Sequence, residues 1–131
     1  MYQATLEKWH ELLEQANPSA LPSILADDVR FISPVVFTPQ QGKTLTTMYL
    51  SGAFQVLASG GHFKYINKTY SEDTAVLEFE TMVDDVTING VDIIRFNSDG
   101  LISEFKVMVR PLQGMQKLQE KMAALLKQYQ S

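Results

Sequence analysis

The spacing of apolar residues changes at Gly60-Gly61, and this change constrains the fold more than any other feature of the sequence. Before the glycine pair, apolar residues recur every three or four positions, which is the period of a helix. After it, along residues 75–83, they occupy alternate positions, which is the period of a strand with one covered face. A run of helices followed by a run of strands predicts an α+β fold with an antiparallel sheet.

The first helix is predicted to begin near Thr5, which can cap it, and to end before Asn17-Pro18. A short helix over residues 18–25 and a strand over residues 29–33 follow. The apolar face of the first helix consists of residues spaced three or four apart, namely Leu6, Trp9, Leu13 and Ala16.

A loop over residues 37–42 leads to a third helix, whose apolar residues lie between Leu45 and Leu57. This helix is predicted to end at Gly60-Gly61, because glycine takes the left-handed conformation that is common at helix C-termini.

Strands are predicted over residues 62–70, 75–83, 86–96 and 101–109, joined by short turns into a meander. Gly90 predicts a bulge or sharp bend, which would help to curl the sheet around the helices and leave a hollow. The last helix is predicted from an apolar stripe at Met115, Leu118, Met122, Leu125 and Tyr129.

Length and composition predict one globular domain spanning residues 1–131, with 45% apolar and 20% charged residues. The net charge of −4 argues against nucleic acid and anionic membranes as partners. The chain has no cysteine, and it shows no signal peptide and no membrane-spanning stretch, so we expect it in the cytoplasm. No phosphate loop, nucleophile elbow or metal-ligand spacing is present, so we expect no cofactor and no metal.

Three segments carry a family resemblance: residues 9–28, residues 90–102, and Ser33-Pro34 followed by Gly42. Together they resemble the ketosteroid-isomerase and SnoaL-like polyketide-cyclase group of the nuclear-transport-factor-2-like superfamily. The resemblance implies a cystatin-like cone, in which a strongly curved antiparallel sheet wraps around a long helix and a C-terminal helix follows. It also implies a homodimer formed through the sheet.

Ketosteroid isomerases use an aspartate base, a tyrosine donor and a protonated aspartic acid in an apolar pocket. By resemblance, Ser33 occupies the position of the base and Trp9 that of the tyrosine, while Asp92 retains the second aspartate. A serine cannot take a proton from carbon at neutral pH, although the Trp9 indole can donate a hydrogen bond. Two of the three isomerase roles are therefore missing.

Asp92 is the one predicted catalytic residue, because its apolar strand neighbours would favour a protonated carboxyl group that donates to a ligand carbonyl. The alternatives are that Asp92 pairs with Arg95, faces solvent or accepts from a backbone N–H. The predicted pocket consists of residues that the resemblance directs toward the hollow: Trp9, Leu13, Ser33, Phe37, Ile94, Phe105, Val107, Val109 and His62.

Simpler structural interpretations accompany several of these predictions. Trp9 also fits plain core packing, and His10 fits a solvated surface position, while His62 could lie at a pocket rim. The acidic pairs Asp27-Asp28 and Asp84-Asp85 are expected in solvated turns. Charged residues at alternate positions along the strands indicate the outer face of the sheet: Glu78, Glu80, Arg95, Glu104 and Lys106. They could form ion pairs between neighbouring strands, or this face could be a dimer interface.

Two functional hypotheses follow. The first is a module that binds a small apolar or aromatic carbonyl compound in the cone, with Asp92 and Trp9 as polar anchors. The alternative is an isomerase or cyclase that uses Asp92 as a polarising acid. It would need a base such as His62, and a titratable group placed near Asp92 would favour it.

Overall fold

The computed structural model describes residues 2–15, 17–58 and 60–130, with side chains through Lys127. Ala16 and the Tyr129 side chain, which belong to the predicted helical stripes, lie outside the described residues. The fold is α+β, as predicted. Its elements in chain order are α1 (Gln3–Gln15), a 3₁₀-helix (Pro18–Ile24), β1 (Leu25–Ile32), β2 (Gln40–Gln41), α2 (Lys43–Ala58), β3 (Lys64–Tyr70), β4 (Thr74–Val83), β5 (Val86–Phe96), β6 (Ile102–Arg110) and α3 (Leu112–Gln130).

One curved, six-stranded sheet has the strand order β2-β1-β6-β5-β4-β3. Strands β3 to β6 form the predicted antiparallel meander. Strand β1 pairs in parallel with β6, where Phe31 is opposite Phe105, and the two-residue strand β2 pairs with β1 inside the segment that was predicted as a loop. The periodicity of a strand shows which face is covered but not which distant strand lies beside it, so the β1–β6 pairing was not predicted.

The helices cover the inner face of the sheet and share one apolar core with it. The Trp9 ring of α1 lies 5.2 Å from the Phe54 ring of α2 and 4.9 Å from the Phe105 ring of β6. The alternate residues predicted to face inward on β4 are buried: Ala75, Leu77, Phe79 and Val83. The covered face of the meander is therefore the face that the alternation predicted.

Thr5 lies within α1 and does not cap it, so this prediction is wrong. Its hydroxyl donates to the carbonyl oxygen of Gly100 at 2.5 Å. The helix begins earlier because Tyr2 is held in place: its ring stacks on Phe96 at 4.2 Å, and its hydroxyl donates to the Ser71 carbonyl at 2.8 Å.

Gly90 is not a bulge, because β5 pairs without interruption through it on both sides. A Cβ at this position would lie 2.5 Å from Cζ of Phe79 and 2.7 Å from the carbonyl oxygen of Met108. Glycine is thus required by close packing and not by a bend. Register shifts occur instead between Tyr65 and Asn67 and between Arg95 and Phe96.

The two acidic pairs occupy different kinds of structure. Asp84 and Asp85 form the β4–β5 turn in the left-handed region, with φ of 49° and 67°, and the Asp84 carboxylate contacts Lys121 of α3 at 2.7 Å. Asp27 and Asp28 lie within β1 and are exposed, rather than in a turn before it. None of the described helices is long and apolar enough to cross a membrane.

Candidate functional site

Three polar side chains from three elements meet at the inner face of the sheet. The Trp9 indole Nε1–H of α1 donates to the Tyr65 hydroxyl oxygen of β3 at 2.9 Å. The Tyr65 hydroxyl in turn donates to Oδ2 of Asp92 on β5 at 2.5 Å. We call these residues the Trp9–Tyr65–Asp92 cluster.

Burial dominates the electrostatics of this cluster. Asp92 is only 5% exposed, and burial raises its pKa to about 7, while the hydrogen bond from Tyr65 acts in the opposite direction. Burial, followed by the Asp92 charge, raises the pKa of Tyr65 well above its usual value, so Tyr65 stays a donor near neutral pH. The alternative pairing of Asp92 with Arg95 is excluded, because Arg95 is exposed and Asp92 is buried against Tyr65.

Asp92 borders a small apolar space, which we call the inner cavity. Its volume is about 30 Å³, close to that of a single water molecule. Pockets for drug-sized ligands are usually roughly ten times larger or more. The inner cavity is lined by Trp9, Leu13, Leu50, Ala53, Phe54, Leu57, Ala58, Phe63, Asp92, Phe105 and Val107.

A wider depression of about 420 Å³, which we call the mouth, lies beside the inner cavity. The two spaces share Leu13, Ala58 and Phe63 in their lining, so they adjoin one another. Tyr65 is common to both sites, because it lines the mouth and its hydroxyl donates to Asp92, which lines the inner cavity. The mouth is lined by His10, Leu13, Glu14, Ala58, Gly61, Phe63, Lys64, Tyr65 and Lys68.

The structure brings together five of the residues predicted from the sequence. The predicted catalytic residue Asp92 lines the inner cavity together with four residues of the predicted pocket: Trp9, Leu13, Phe105 and Val107. They come from α1, β5 and β6, whose inward positions follow directly from the helical and alternating periods.

Two residues predicted from the segment after β1 lie elsewhere. Phe37 is 98% exposed, and the Ser33 hydroxyl oxygen accepts from the backbone N–H groups of Val35 and Val36 at 2.9 and 3.0 Å. This bonding folds the segment into a local turn, so neither side chain lines the inner cavity or the mouth.

The remaining three predicted pocket residues also lie outside both spaces. Ile94 is fully buried in the core between Ala75 and Phe105 on the neighbouring strands. Val109 is opposite Gly90, near the end of β6. His62 is exposed and lines a separate surface groove with Val83 and Lys121.

Sequence reasoning missed Tyr65, which is the central member of the cluster. Most of β3 is exposed, so the strand lacks the alternation that singled out β4. The available signal was the spacing of Phe63 and Tyr65, two aromatic residues that a strand places on the same face. No three carboxylate or imidazole groups converge as a metal site within the described part of the chain.

The six-stranded curved sheet packed on helices is the cystatin-like, nuclear-transport-factor-2-like fold. Residues 6–105 match the SnoaL-like domain family, and the chain belongs to that family, which confirms the resemblance predicted from the sequence. No curated protein matches the chain in sequence.

Solved structures agree with this assignment. A protein described as a steroid delta-isomerase from Pseudomonas aeruginosa is 37% identical over 98% of this chain and 93% of its own, with a TM-score of 0.93. An uncharacterized protein with a cystatin-like fold from Silicibacter pomeroyi is 29% identical over 92% and 83%, with a TM-score of 0.83. An NTF2-like protein of unknown function from Mesorhizobium loti shares the fold at 17% identity over 84% and 91%, with a TM-score of 0.72.

Proposed function

We propose that this domain binds a small apolar or aromatic carbonyl compound whose oxygen accepts a hydrogen bond from protonated Asp92. The observation that carries the proposal is a buried carboxyl group at an apolar cavity, with a pKa raised to about 7. Only the protonated form can donate to a carbonyl oxygen. The Tyr65 hydroxyl continues to donate to Oδ2 of Asp92 and holds the carboxyl group in position.

The sizes of the two spaces indicate how such a ligand would lie. The inner cavity, at about 30 Å³, has room for a carbonyl oxygen and little more. The mouth, at about 420 Å³, falls within the usual range for small-molecule sites. The ring system would therefore occupy the mouth, against Leu13 and Phe63, while its carbonyl group reaches inward.

The test is a titration of the ¹⁵N-labelled protein with 2-acetylnaphthalene. Trp9 is the only tryptophan, so its indole N–H gives a single resonance that reports on the cluster. Asp92→Ala should weaken binding by about 1–3 kcal/mol, the usual result of losing a buried hydrogen-bond partner, and Asp92→Asn should weaken it less. Asp28→Ala on the exposed part of β1 is the matched control. Unchanged affinity of a folded Asp92→Ala variant would contradict the proposal.

An isomerase or cyclase is the second candidate function. It is favoured by the 37% identity to the Pseudomonas aeruginosa protein described as a steroid delta-isomerase. It is also favoured by His10, whose ring lies 5.5 Å from that of Tyr65 at the mouth. Burial, followed by the Lys68 charge, lowers the pKa of His10, so its imidazole is neutral near pH 7 and can accept a proton. His10 thus replaces His62 as the candidate base.

In this reaction His10 would take a proton from the carbon between the carbonyl group and the double bond, and Asp92 would donate a hydrogen bond to the dienolate oxygen. The protonated His10 would then return the proton to the γ-carbon, which gives the conjugated ketone and restores the neutral imidazole. A β,γ-unsaturated steroid ketone is the test substrate, because its conjugated product is detected by ultraviolet absorbance. His10→Gln and Asp92→Asn should each lower kcat, by roughly ten-fold or more, while His62→Gln should not. Absence of turnover by the wild-type protein would leave the binding module as the function.

We also propose a homodimer formed through the outer face of the sheet. The centre of this face is apolar, with Val76 opposite Ile93 and Val91 opposite Met108. Acidic and basic residues surround it on the same strands, which suits a self-complementary interface around a two-fold axis. The cytoplasmic location and the single-domain organisation stay predictions from the sequence.

A further inference from the structure

The inner cavity and the mouth adjoin where three residues line both of them: Leu13, Ala58 and Phe63. Leu13 belongs to α1 and Ala58 is the last residue of α2, whereas Phe63 immediately precedes β3. Phe63 has the largest side chain of the three. The width of the junction between the two spaces therefore depends on its ring more than on the other two side chains.

The Phe63 ring is held on the inner side of the sheet by two other aromatic rings. Its centre lies 5.0 Å from that of Phe79, with 26° between the ring planes, and 5.1 Å from that of Tyr65 in an edge-to-face arrangement. Both separations are typical of aromatic pairs that attract one another. Phe79 is fully buried, and the Tyr65 hydroxyl donates to Asp92. The ring thus lies beside the carboxyl group that would bind the ligand carbonyl.

The volumes of the two spaces set a limit on the shape of the ligand. The mouth, at about 420 Å³, has room for a ring system, but the inner cavity, at about 30 Å³, holds little more than one water molecule. A branched alkyl group is much larger than a water molecule, and forcing it into a closely packed interior is unfavourable. A ligand whose carbonyl oxygen reaches Asp92 must therefore be narrow on both sides of its carbonyl carbon.

We propose that Phe63 determines specificity by limiting the width of the groups on the carbonyl carbon, so that aldehydes, methyl ketones and flat cyclic ketones bind and ketones with a branched alkyl group do not. This inference rests on the proposed function, since the carbonyl group is taken to lie against Asp92. Phe63 acts through the position of its ring and forms no hydrogen bond with the ligand. Replacing it by alanine would remove the ring from the border of both spaces and make room for the branched group.

A matched pair of ketones tests the width limit. 2-Acetylnaphthalene and tert-butyl 2-naphthyl ketone have the same rings and the same carbonyl group, and they differ only in a methyl against a tert-butyl group. Their affinities are measured by calorimetry for the wild type and for Phe63→Ala. The wild type should bind the methyl ketone at least about ten-fold more tightly. Phe63→Ala should reduce this preference to about two-fold or less, mainly because it binds the tert-butyl ketone more tightly.

Phe96→Ala is the matched control, because Phe96 is also a buried phenylalanine but lines a separate surface cleft with Tyr2 and Asn97. Its ring stacks on that of Tyr2 at 4.2 Å, so its loss should lower stability and leave the preference unchanged. Phe63→Leu and Phe96→Leu repeat the comparison with more of the apolar side chain retained, for the case in which an alanine variant does not fold. The preference of Phe63→Leu should lie between those of the wild type and Phe63→Ala.

The outcomes distinguish this inference from the proposed function. Equal affinity of the wild type for the two ketones, with loss of both in Asp92→Ala, would overturn the role of Phe63 and support the carbonyl site. A preference that folded Phe63 variants leave unchanged would overturn that role as well. A preference that Phe63→Ala removes, with binding that Asp92→Ala leaves unchanged, would support the width limit and overturn the carbonyl contact. Failure of both ketones to bind would overturn both proposals.

Discussion

Asp92 is a residue whose pKa depends strongly on the fold. In the unfolded chain it would ionise near its ordinary pKa of 3.8, whereas burial raises the folded pKa to about 7. Between these values the folded protein holds a proton that the unfolded chain has released. The free energy of unfolding therefore decreases as pH rises through this window.

Asp92→Asn should remove this pH dependence, because asparagine does not titrate and its side-chain oxygen can still accept from Tyr65. Relative to the wild type, the variant should gain stability between pH 4 and pH 8, by at most about 4 kcal/mol. Denaturant unfolding at a series of pH values measures the effect, with Asp28→Asn on the exposed face of β1 as the control. A constant difference between variant and wild type across this range would refute the assigned pKa shift.

Tyr65→Phe should raise the pKa of Asp92 above about 7, because the hydrogen bond from Tyr65 is the interaction that lowers it. The substitution also leaves the Trp9 indole N–H without its acceptor, so the indole resonance should move. A ¹³C titration of the Asp92 carboxyl carbon measures the shift. Tyr70→Phe, an exposed tyrosine on the same strand, is the control. A lower pKa in Tyr65→Phe would show that Tyr65 destabilises the carboxylate.

The sequence predicted part of this site and missed its centre. Asp92 and Trp9 could be predicted because each lies in a segment with a clear apolar period and matches a family position. Tyr65 could not, because it lies on an exposed strand, and its role depends on the spacing between α1, β3 and β5. Phe37 and Ser33 were placed wrongly because family spacing does not show how a loop turns.

At the level of elements, β5 lies inside the sheet, where it pairs with β4 from Val86 to Arg95 and with β6 from Asn89 to Phe96. Gly90 allows this pairing by leaving room for the Phe79 ring on β4. The same glycine suggested a bulge in the sequence, since a glycine within a strand has several structural uses. Periodicity identified the strand, but only the packing of Phe79 explains the glycine.

Gly90→Ala should destabilise the protein by about 1–3 kcal/mol, the usual effect of adding a methyl group where none fits. The added carbon would meet the Phe79 ring and the Met108 carbonyl, and the backbone of a central strand cannot move away easily. Thermal unfolding measures the loss. Gly60→Ala is the control, because a Cβ there meets nothing closer than 3.5 Å. Equal melting temperatures for the two variants would contradict this account of Gly90.

At the scale of the whole molecule, the outer face of the sheet offers a surface for a second copy of the chain. Ile93→Lys should dissociate the proposed dimer, because the new charge would lie beside Lys106 at the apolar centre of the face. Sedimentation velocity measures the oligomeric state. Val36→Lys, on the exposed loop after β1, is the control and should leave the dimer intact. A wild-type protein that is monomeric at every accessible concentration would rule the dimer out.

The parallel pairing of β1 with β6 has a consequence for folding during synthesis on the ribosome. Strand β1 is made early, but its partner β6 is the last strand to be synthesised. Phe31 and its partner Phe105 are 74 positions apart in the sequence, so this length of chain must emerge before the two strands can pair. Until then the apolar surroundings of Asp92 are incomplete, because Phe105 and Val107 of β6 line the same cavity. Measurements of pulling force on stalled nascent chains should detect folding only after Arg110 has left the exit tunnel. The raised pKa of Asp92 is thus acquired late, when β6 completes the sheet.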